Sequence, residues 1–206
     1  MRRLFVTGIG TEVGKTVAAA ILTEALAADY WKPVQSGSVD QTDTATVKQL
    51  VSNPSSRFYP EAYLLQAPLS PHAAAAAENI RIKPAEIRLP ATQNHLIIEG
   101  AGGLLVPLTA DFLMLDLIQQ LQAEVILVSR NYLGSINHTL LSLEVLKNRR
   151  IPVAGIIFNG EPNPATETYI LNYSQISRLL AVLPEKNLSP AVIKKYAAQA
   201  RTALMH

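Results

Sequence analysis

The sequence predicts an α/β fold, a mostly parallel sheet with helices on both faces in three layers. Three observations carry this expectation. Strand-like and helix-like segments alternate along most of the chain. The strand-like segments, such as Leu4-Phe5-Val6 and Val125-Ile126-Leu127-Val128, are apolar throughout, which is the composition of strands covered on both faces. A glycine-rich turn joins the first strand to the first helix, and sheets of this kind hold ligands at the carboxyl ends of their strands.

The elements follow in chain order. Arg3–Thr7 is a short buried strand, and the Ala- and Leu-rich Thr16–Ala28 is a helix. Tyr30–Val34 is a second strand. The polar, Gly/Ser/Thr-rich Gln35–Thr46 is a loop, with a helix beginning near Asp43 and running to Val51. Asn53–Leu69 carries Pro54, Pro60 and Pro68 and is the least regular stretch. Ser70-Pro71-His72 opens the helical run Ala73–Ala77, with serine at the cap and proline in the first turn. His95–Ile98 is a strand ending at Glu99-Gly100-Ala101-Gly102-Gly103. Asp111–Ala123 is a helix, with Phe112, Leu115, Ile118 and Leu121 at helical spacing. Glu124–Val128, Val153–Phe158 and Leu180–Leu183 are strands, alternating with helices at Ser135–Asn148, Ala165–Leu179 and Ser189–Met205.

With 206 residues, no internal repeat and no linker, the chain is expected to form one domain over 1–206. Apolar residues make up 49% and charged residues 17%, enough for a sizeable core and too ordered a composition for a disordered chain. Lys and Arg number 18 against 16 Asp and Glu, a balance without the basic footprint of a nucleic-acid or membrane binder. There is no cysteine, so disulfides, thiolate metal sites and thiol nucleophiles are excluded, and a reducing cytoplasm is the expected compartment. Met1-Arg2-Arg3 is followed by too short an apolar run for a signal peptide, and no apolar run is long enough to span a membrane.

Gly8-Ile9-Gly10-Thr11-Glu12-Val13-Gly14-Lys15-Thr16 lies between the first strand and first helix. Glycines let backbone N–H groups curl around phosphate oxygens, and the helix start adds its positive end. Lys15 can reach the outer phosphates, and the Thr16 hydroxyl can hold Mg²⁺. This is a P-loop with one extra residue: five residues separate Gly8 from Gly14, where the usual pattern has about four. Glu12 is unusual beside a phosphate cradle. It either meets a cation, such as a lysine or a substrate amine, or caps backbone N–H groups.

Mg²⁺ takes oxygen ligands, usually one or two carboxylates beside phosphate. Glu99, at the end of a Leu-Ile-Ile strand, is expected to project at the loop edge where such a carboxylate belongs. Asp43 begins a helix and reads from position alone as an N-cap. Lys32, beside Trp31 in a short apolar strand, is either an exposed edge lysine or points into an anion-filled cleft.

Taken together, these pieces resemble the dethiobiotin synthetase family of P-loop NTPase-like enzymes. The resemblance covers most of the chain in order. It rests on Thr7-Gly8 through Thr16, on Lys32-Pro33-Val34 with Ser36-Gly37, on Ser70-Pro71-His72, on Glu99 through Gly103, and on Gly134-Ser135-Ile136-Asn137-His138. It implies Mg²⁺ ligation by Thr16, Asp43 and Glu99. It implies ATP contacts along Gly10-Thr11-Glu12-Val13-Gly14-Lys15-Thr16-Val17 and at Glu99, Gly102, Asn159 and Pro184. It implies catalytic roles for Lys15, Lys32, Thr11 and Glu12. His138 is assigned no chemistry.

The reaction implied is closure of a ureido ring on 7,8-diaminopelargonic acid with CO₂ and ATP. It gives dethiobiotin, ADP and phosphate through a carbamate and a carbamic-phosphoric anhydride. Ser36 would help bind the diamine. Its carboxylate tail would sit at the helix start formed by Gly134, Ser135 and Asn137 of a second subunit, so the resemblance also implies a homodimer. Small molecules, with no nucleic acid and no membrane, would be the partners.

The rival reading is a partition-type or septum-positioning ATPase, a nucleotide-switched binding module. Those proteins carry a lysine early in the loop, where this chain has Ile9, Gly10 and Thr11. Amidating synthetases of the same fold draw ammonia from a glutaminase domain with a cysteine, and this chain has none.

Overall fold

A computed structural model describes residues 1–204. Its elements are β1 (Arg3–Gly8), α1 (Lys15–Leu26), β2 (Asp29–Trp31), β3 (Val34–Ser36), α2 (Asp43–Leu50), β4 (Phe58–Tyr59), β5 (Tyr63–Leu65), α3 (Pro71–Ala77), β6 (Leu96–Gly103), α4 (Met114–Gln120), β7 (Glu124–Arg130), α5 (Ser135–Asn148), β8 (Val153–Asn159), α6 (Pro164–Ser174), β9 (Arg178–Val182) and α7 (Pro190–Leu204). The expected end of the last helix, Met205, lies outside the described residues.

The main sheet has seven strands in the order β4-β2-β6-β1-β7-β8-β9, and every pair in it is parallel. β1 is central, between β6 and β7. The loop after it therefore opens at the middle of the carboxyl edge, where the chain departs to either side.

Alternation within the strands builds the three layers. Leu4, Val6, Ile97, Ile126 and Val128 join one core cluster with Ala and Leu side chains of α1, Val47 of α2 and Ile193 and Ala197 of α7. Phe5, Ile98, Val125 and Leu127 point the other way, into a cluster with Ala74 of α3, Leu115 and Ile118 of α4, Leu146 of α5 and Ile170 of α6. Each strand is apolar on both faces because each face carries its own helical layer. Helix α1 is buried along most of its length, since α7 and α2 cover the side turned from the sheet.

Several boundaries differ from expectation. The segment Tyr30–Val34 is two strands. β2 joins the main sheet, while β3 pairs with β5 in a separate two-stranded sheet. Lys32-Pro33 separates them, and proline has no N–H with which to continue a ladder. The irregular stretch Asn53–Leu69 supplies both β4 and β5, too short to show a pattern. Leu179 belongs to β9, because α6 stops at Ser174 with Gln175 in a left-handed conformation. α4 begins at Met114 rather than Asp111.

Candidate active site

The phosphate loop runs from Gly8 to Gly14 between the end of β1 and the start of α1. Gly14 has φ of 96°, and a Cβ there would lie 2.2 Å from the Asn159 amide nitrogen. Only glycine fits that turn. Asn159, the last residue of β8, donates its amide to the Val13 carbonyl at 3.0 Å. Glu12 also has a positive φ of 56°, and Arg130 at the end of β7 donates to its carbonyl at 3.3 Å. Thr11 and Glu12 are exposed, Gly10 and Val17 are half-buried, and Val13 is buried.

Lys15 lies back over the loop and donates to the Gly10 carbonyl at 2.8 Å. Burial, and then the charge of Lys32, lower its pKa from the ordinary 10.5 to about 8. Next to it, Thr16 lies within hydrogen-bond distance of two carboxylates, with its hydroxyl 2.9 Å from Glu99 Oε1 and 3.1 Å from Asp43 Oδ1.

Glu99 does not project at a loop edge. Strand β6 continues past it to Gly103, and its residue is only 1% exposed. The carboxylate is instead surrounded. Oε1 accepts from Thr16 and from Lys32 Nζ at 3.2 Å, and Oε2 accepts from the Tyr30 hydroxyl at 2.8 Å. Lys32 is not an exposed edge lysine either. It is 3% exposed, with Nζ 2.8 Å from Asp43 Oδ2 and 3.3 Å from the Gly100 carbonyl. Burial opposes its charge, but the Glu99 and Asp43 carboxylates outweigh that cost and raise its pKa. Burial and then Glu99 drive the Tyr30 phenol well above its usual range.

Asp43 is not the N-cap of α2. Thr42 caps the helix, its hydroxyl accepting from the Ala45 N–H at 3.1 Å. The Asp43 N–H is held by Gln35 Oε1 at 3.2 Å, which leaves its carboxylate free to face Lys32 and Thr16. Ser36, at the end of β3, has a buried hydroxyl with no partner.

The Thr16, Asp43 and Glu99 oxygens converge and are all hard donors, the chemistry Mg²⁺ prefers. Among the described residues no three His, Asp or Glu side chains form an all-protein metal cage. Two carboxylates and a hydroxyl suit an ion that completes its shell with phosphate oxygens and water. The Lys32 ammonium stands among the same oxygens.

The expected tail-binding residues lie elsewhere. Gly134, with φ of 101°, precedes α5, whose bounds Ser135–Asn148 match expectation. Gly134, Ser135 and Asn137 line an open groove of about 860 Å³ with residues of α6 and the Glu161–Asn163 loop. The Ser135 N–H is already accepted by the Tyr132 carbonyl. None of the groove residues belongs to the Thr16–Lys32–Asp43–Glu99 cluster. Gly102, at φ of 68°, lies near the end of β6, and Pro184 is exposed just after β9.

Sequence reasoning missed Tyr30, Gln35 and Arg130. Tyr30 lies in the expected strand, and its ring packs as a core side chain. Nothing local signals that its hydroxyl reaches a residue 69 positions away.

The parallel sheet and the glycine-rich loop at the end of its central strand define a P-loop NTPase-like protein. The chain belongs to the AAA-domain family, whose model it matches over residues 2–192. Solved structures share the fold: a putative plasmid partition protein from Borrelia burgdorferi superposes with a TM-score of 0.66 at 12% identity, covering 99% of this chain and 98% of that one. The septum site-determining protein MinD of Pyrococcus horikoshii gives 0.64 at 14% identity, covering 99% of this chain and 93% of that one.

Sequence relatives are more specific. The ATP-dependent dethiobiotin synthetase BioD of Christiangramia forsetii is 50% identical over 200 residues, covering 97% of this chain and 96% of that protein. That of Cytophaga hutchinsonii is 51% identical over 200 residues, covering 97% of each chain. The Agrobacterium fabrum protein is 47% identical, covering 96% of this chain and 93% of its own. The chain belongs to the ATP-dependent dethiobiotin synthetase family and is an ATP-dependent ligase. The partition-type ATPases share its fold at far lower identity.

Proposed function

We propose that this ligase, acting as one domain over 1–206, closes the ureido ring of 7,8-diaminopelargonic acid with CO₂ and ATP to give dethiobiotin, ADP and phosphate. The observation that carries the reading is the Lys32 ammonium, buried and bonded to Glu99 and Asp43, the same two carboxylates that face the phosphate-loop hydroxyl of Thr16. A cation fixed there serves a reaction that gathers negative charge beside the terminal phosphate of ATP.

One amine of the substrate attacks CO₂ and loses a proton, forming a carbamate. A carbamate oxygen attacks the γ-phosphorus, ADP departs, and a carbamic-phosphoric anhydride remains. The second amine attacks the carbonyl carbon and loses a proton, the ring closes, and phosphate leaves. Lys15 and Lys32 offset the charge on the transferring group. Thr11 and Ser36 offer hydroxyls to the carbamate and amines, and the partnerless Ser36 hydroxyl suits that task. Glu12 faces a cationic amine or a lysine. Mg²⁺ held by Thr16, Asp43 and Glu99 would neutralise charge on the β- and γ-phosphates. Val13, Gly14 and Val17 line the nucleotide, Gly10 and Gly102 give it backbone access, and Asn159 and Pro184 flank the adenine.

The diamine's carboxylate binds the α5 start of a second subunit, at Gly134, Ser135 and Asn137. Leu133, Leu141, Tyr169 and Tyr173 are exposed on that groove or beside it, an apolar face suited to a second copy. The partners are small molecules and a second copy, with no nucleic acid or membrane, and the compartment is the cytoplasm. No helix among the described residues is long and apolar enough to cross a membrane. The test is ADP release with ATP, bicarbonate and the diamine, omitting each in turn. Release that persists without the diamine would overturn the reading.

A further inference from the structure

We infer that Tyr30 is a positioning residue that fixes which oxygen of Glu99 faces the phosphate-loop threonine. The inference rests on the proposed Mg²⁺ role of Glu99. Tyr30 lies on β2 beside β6, in register with Ile97, two residues before Glu99 on the same face. It is fully buried, and its ring packs 6.1 Å from that of Phe58. Phenylalanine would meet the packing need. The hydroxyl makes its hydrogen bond to Glu99 Oε2 at 2.8 Å.

The two carboxylate oxygens are thereby divided. Oε1 faces Thr16 and Lys32, on the side where Asp43 converges, while Oε2 is held by the phenol in the core. A phenol donating to a carboxylate is a strong, charge-assisted bond, and inside the core no water competes for it. Glu99 can then offer the cluster one oxygen in a fixed direction. This matters for the choice of ion. Mg²⁺ demands a tight octahedron, which single-oxygen carboxylates suit, whereas Ca²⁺ accepts a carboxylate through both oxygens. With Oε2 tied to Tyr30, Glu99 is unavailable as a two-oxygen ligand. The tyrosine acts through Glu99 and touches no reacting atom.

The experiment measures metal affinity on the full chain with ADP bound. Mn²⁺ is followed by electron paramagnetic resonance and displaced by Mg²⁺ or by Ca²⁺. Tyr30→Phe should weaken Mg²⁺ binding by about 10-fold, the low end for losing a partner that orients a metal ligand. Ca²⁺ should weaken less, so the Mg²⁺-to-Ca²⁺ preference falls. Tyr59→Phe, which removes another phenol from the same sheet edge, bonded to Asp29 and not Glu99, should leave the preference unchanged. In a Glu99→Gln background, Tyr30→Phe should add little, because both act through one carboxylate. An unchanged preference in Tyr30→Phe, or full additivity with Glu99→Gln, overturns the inference. If Glu99→Gln itself leaves Mg²⁺ binding unaltered, the metal role of Glu99 fails, and the inference with it. Should Tyr30→Phe not fold, the unaltered chain decides: its ADP complex must prefer Mg²⁺ over Ca²⁺ more strongly than free ADP does, and an equal or weaker preference overturns the inference.

Discussion

The Lys32 ammonium lies 2.8 Å from the Asp43 carboxylate, joining the end of β2 to the first residue of α2. It also bonds Glu99 at 3.2 Å, so one buried cation holds two carboxylates beside the phosphate loop. Removing it leaves two negative groups facing each other, one of them almost fully buried. Lys32→Met should therefore lower stability by about 3–5 kcal/mol, the usual cost of breaking a buried pair from one side. Mg²⁺ with ADP should restore part of that loss, and turnover should stay about 10²–10³-fold down. Thermal unfolding with and without Mg²⁺–ADP, alongside ADP release, checks both.

Lys15 gives a proton-linkage prediction. Its pKa is lowered to about 8, by burial first and by Lys32 second. Phosphate anions favour the charged ammonium and raise that value on binding. Above about 8, ATP binding should then take up a proton, and affinity should fall as pH rises. Calorimetry in buffers of different ionisation enthalpy measures the uptake. Proton release instead would contradict the placement of Lys15 against phosphate.

Gly14 and Gly10 should respond differently to alanine. At Gly14 a Cβ meets the Asn159 amide at 2.2 Å and the backbone is left-handed, whereas at Gly10 a Cβ meets nothing within 4 Å. Gly14→Ala should cost at least about 1–2 kcal/mol from backbone strain alone. It should also weaken nucleotide binding about 10-fold or more, since that strain is relieved only by moving the loop. Gly10→Ala should leave the unfolding midpoint unchanged. Denaturant titration of the two variants separates them.

Asp29 links the start of β2 to its surroundings. Its carboxylate accepts from Thr92 at 2.6 Å, the Arg57 N–H at 2.9 Å and Tyr59 at 3.1 Å. Burial favours the neutral acid, but these donors outweigh it and hold the pKa below the ordinary 3.8. Its stabilising contribution is therefore complete above the ordinary value and is lost as pH falls through the lowered one. Asp29→Asn should cost about 2 kcal/mol near neutrality. The gap between the two unfolding midpoints should narrow on acidification below the ordinary carboxylate range.

Two inactive variants test the shared site. Lys15→Ala disables the phosphate loop, and Asn137→Asp sets a negative charge where the diamine's carboxylate is proposed to bind. A mixed dimer has one composite site with both lesions and one with neither. It should recover up to about half of the unaltered activity per hybrid, from two-fold geometry. No recovery, with hybrid formation confirmed by native mass spectrometry, would mean that each subunit builds its own tail site.

Local chemistry made much of this protein legible in its sequence. The loop at Gly8–Thr16 reads directly, because glycine, lysine and threonine act there through neighbours a few residues away. The bounds of α5 at Ser135–Asn148 match expectation, because a glycine start and helical spacing are local signals. The layered parallel sheet followed from strands apolar on both faces, a property of composition alone. Lys15 and Thr16 stand out as candidates without reference to any distant residue.

Tertiary structure alone decided the rest. Lys32 was ambiguous in sequence because its burial is tolerable only beside Glu99, 67 residues on, and Asp43 on another element. The depth of Glu99 depended on β6 continuing to Gly103 between β1 and β2, and strand pairing is a long-range choice. Strands β4 and β5, two and three residues long, carry no periodicity and exist only because a partner strand lies alongside. Sequence records which side chains can bond. A buried ion pair or a short strand is stable only once folding has removed the water and supplied the partner, and that is a property of the assembled sheet.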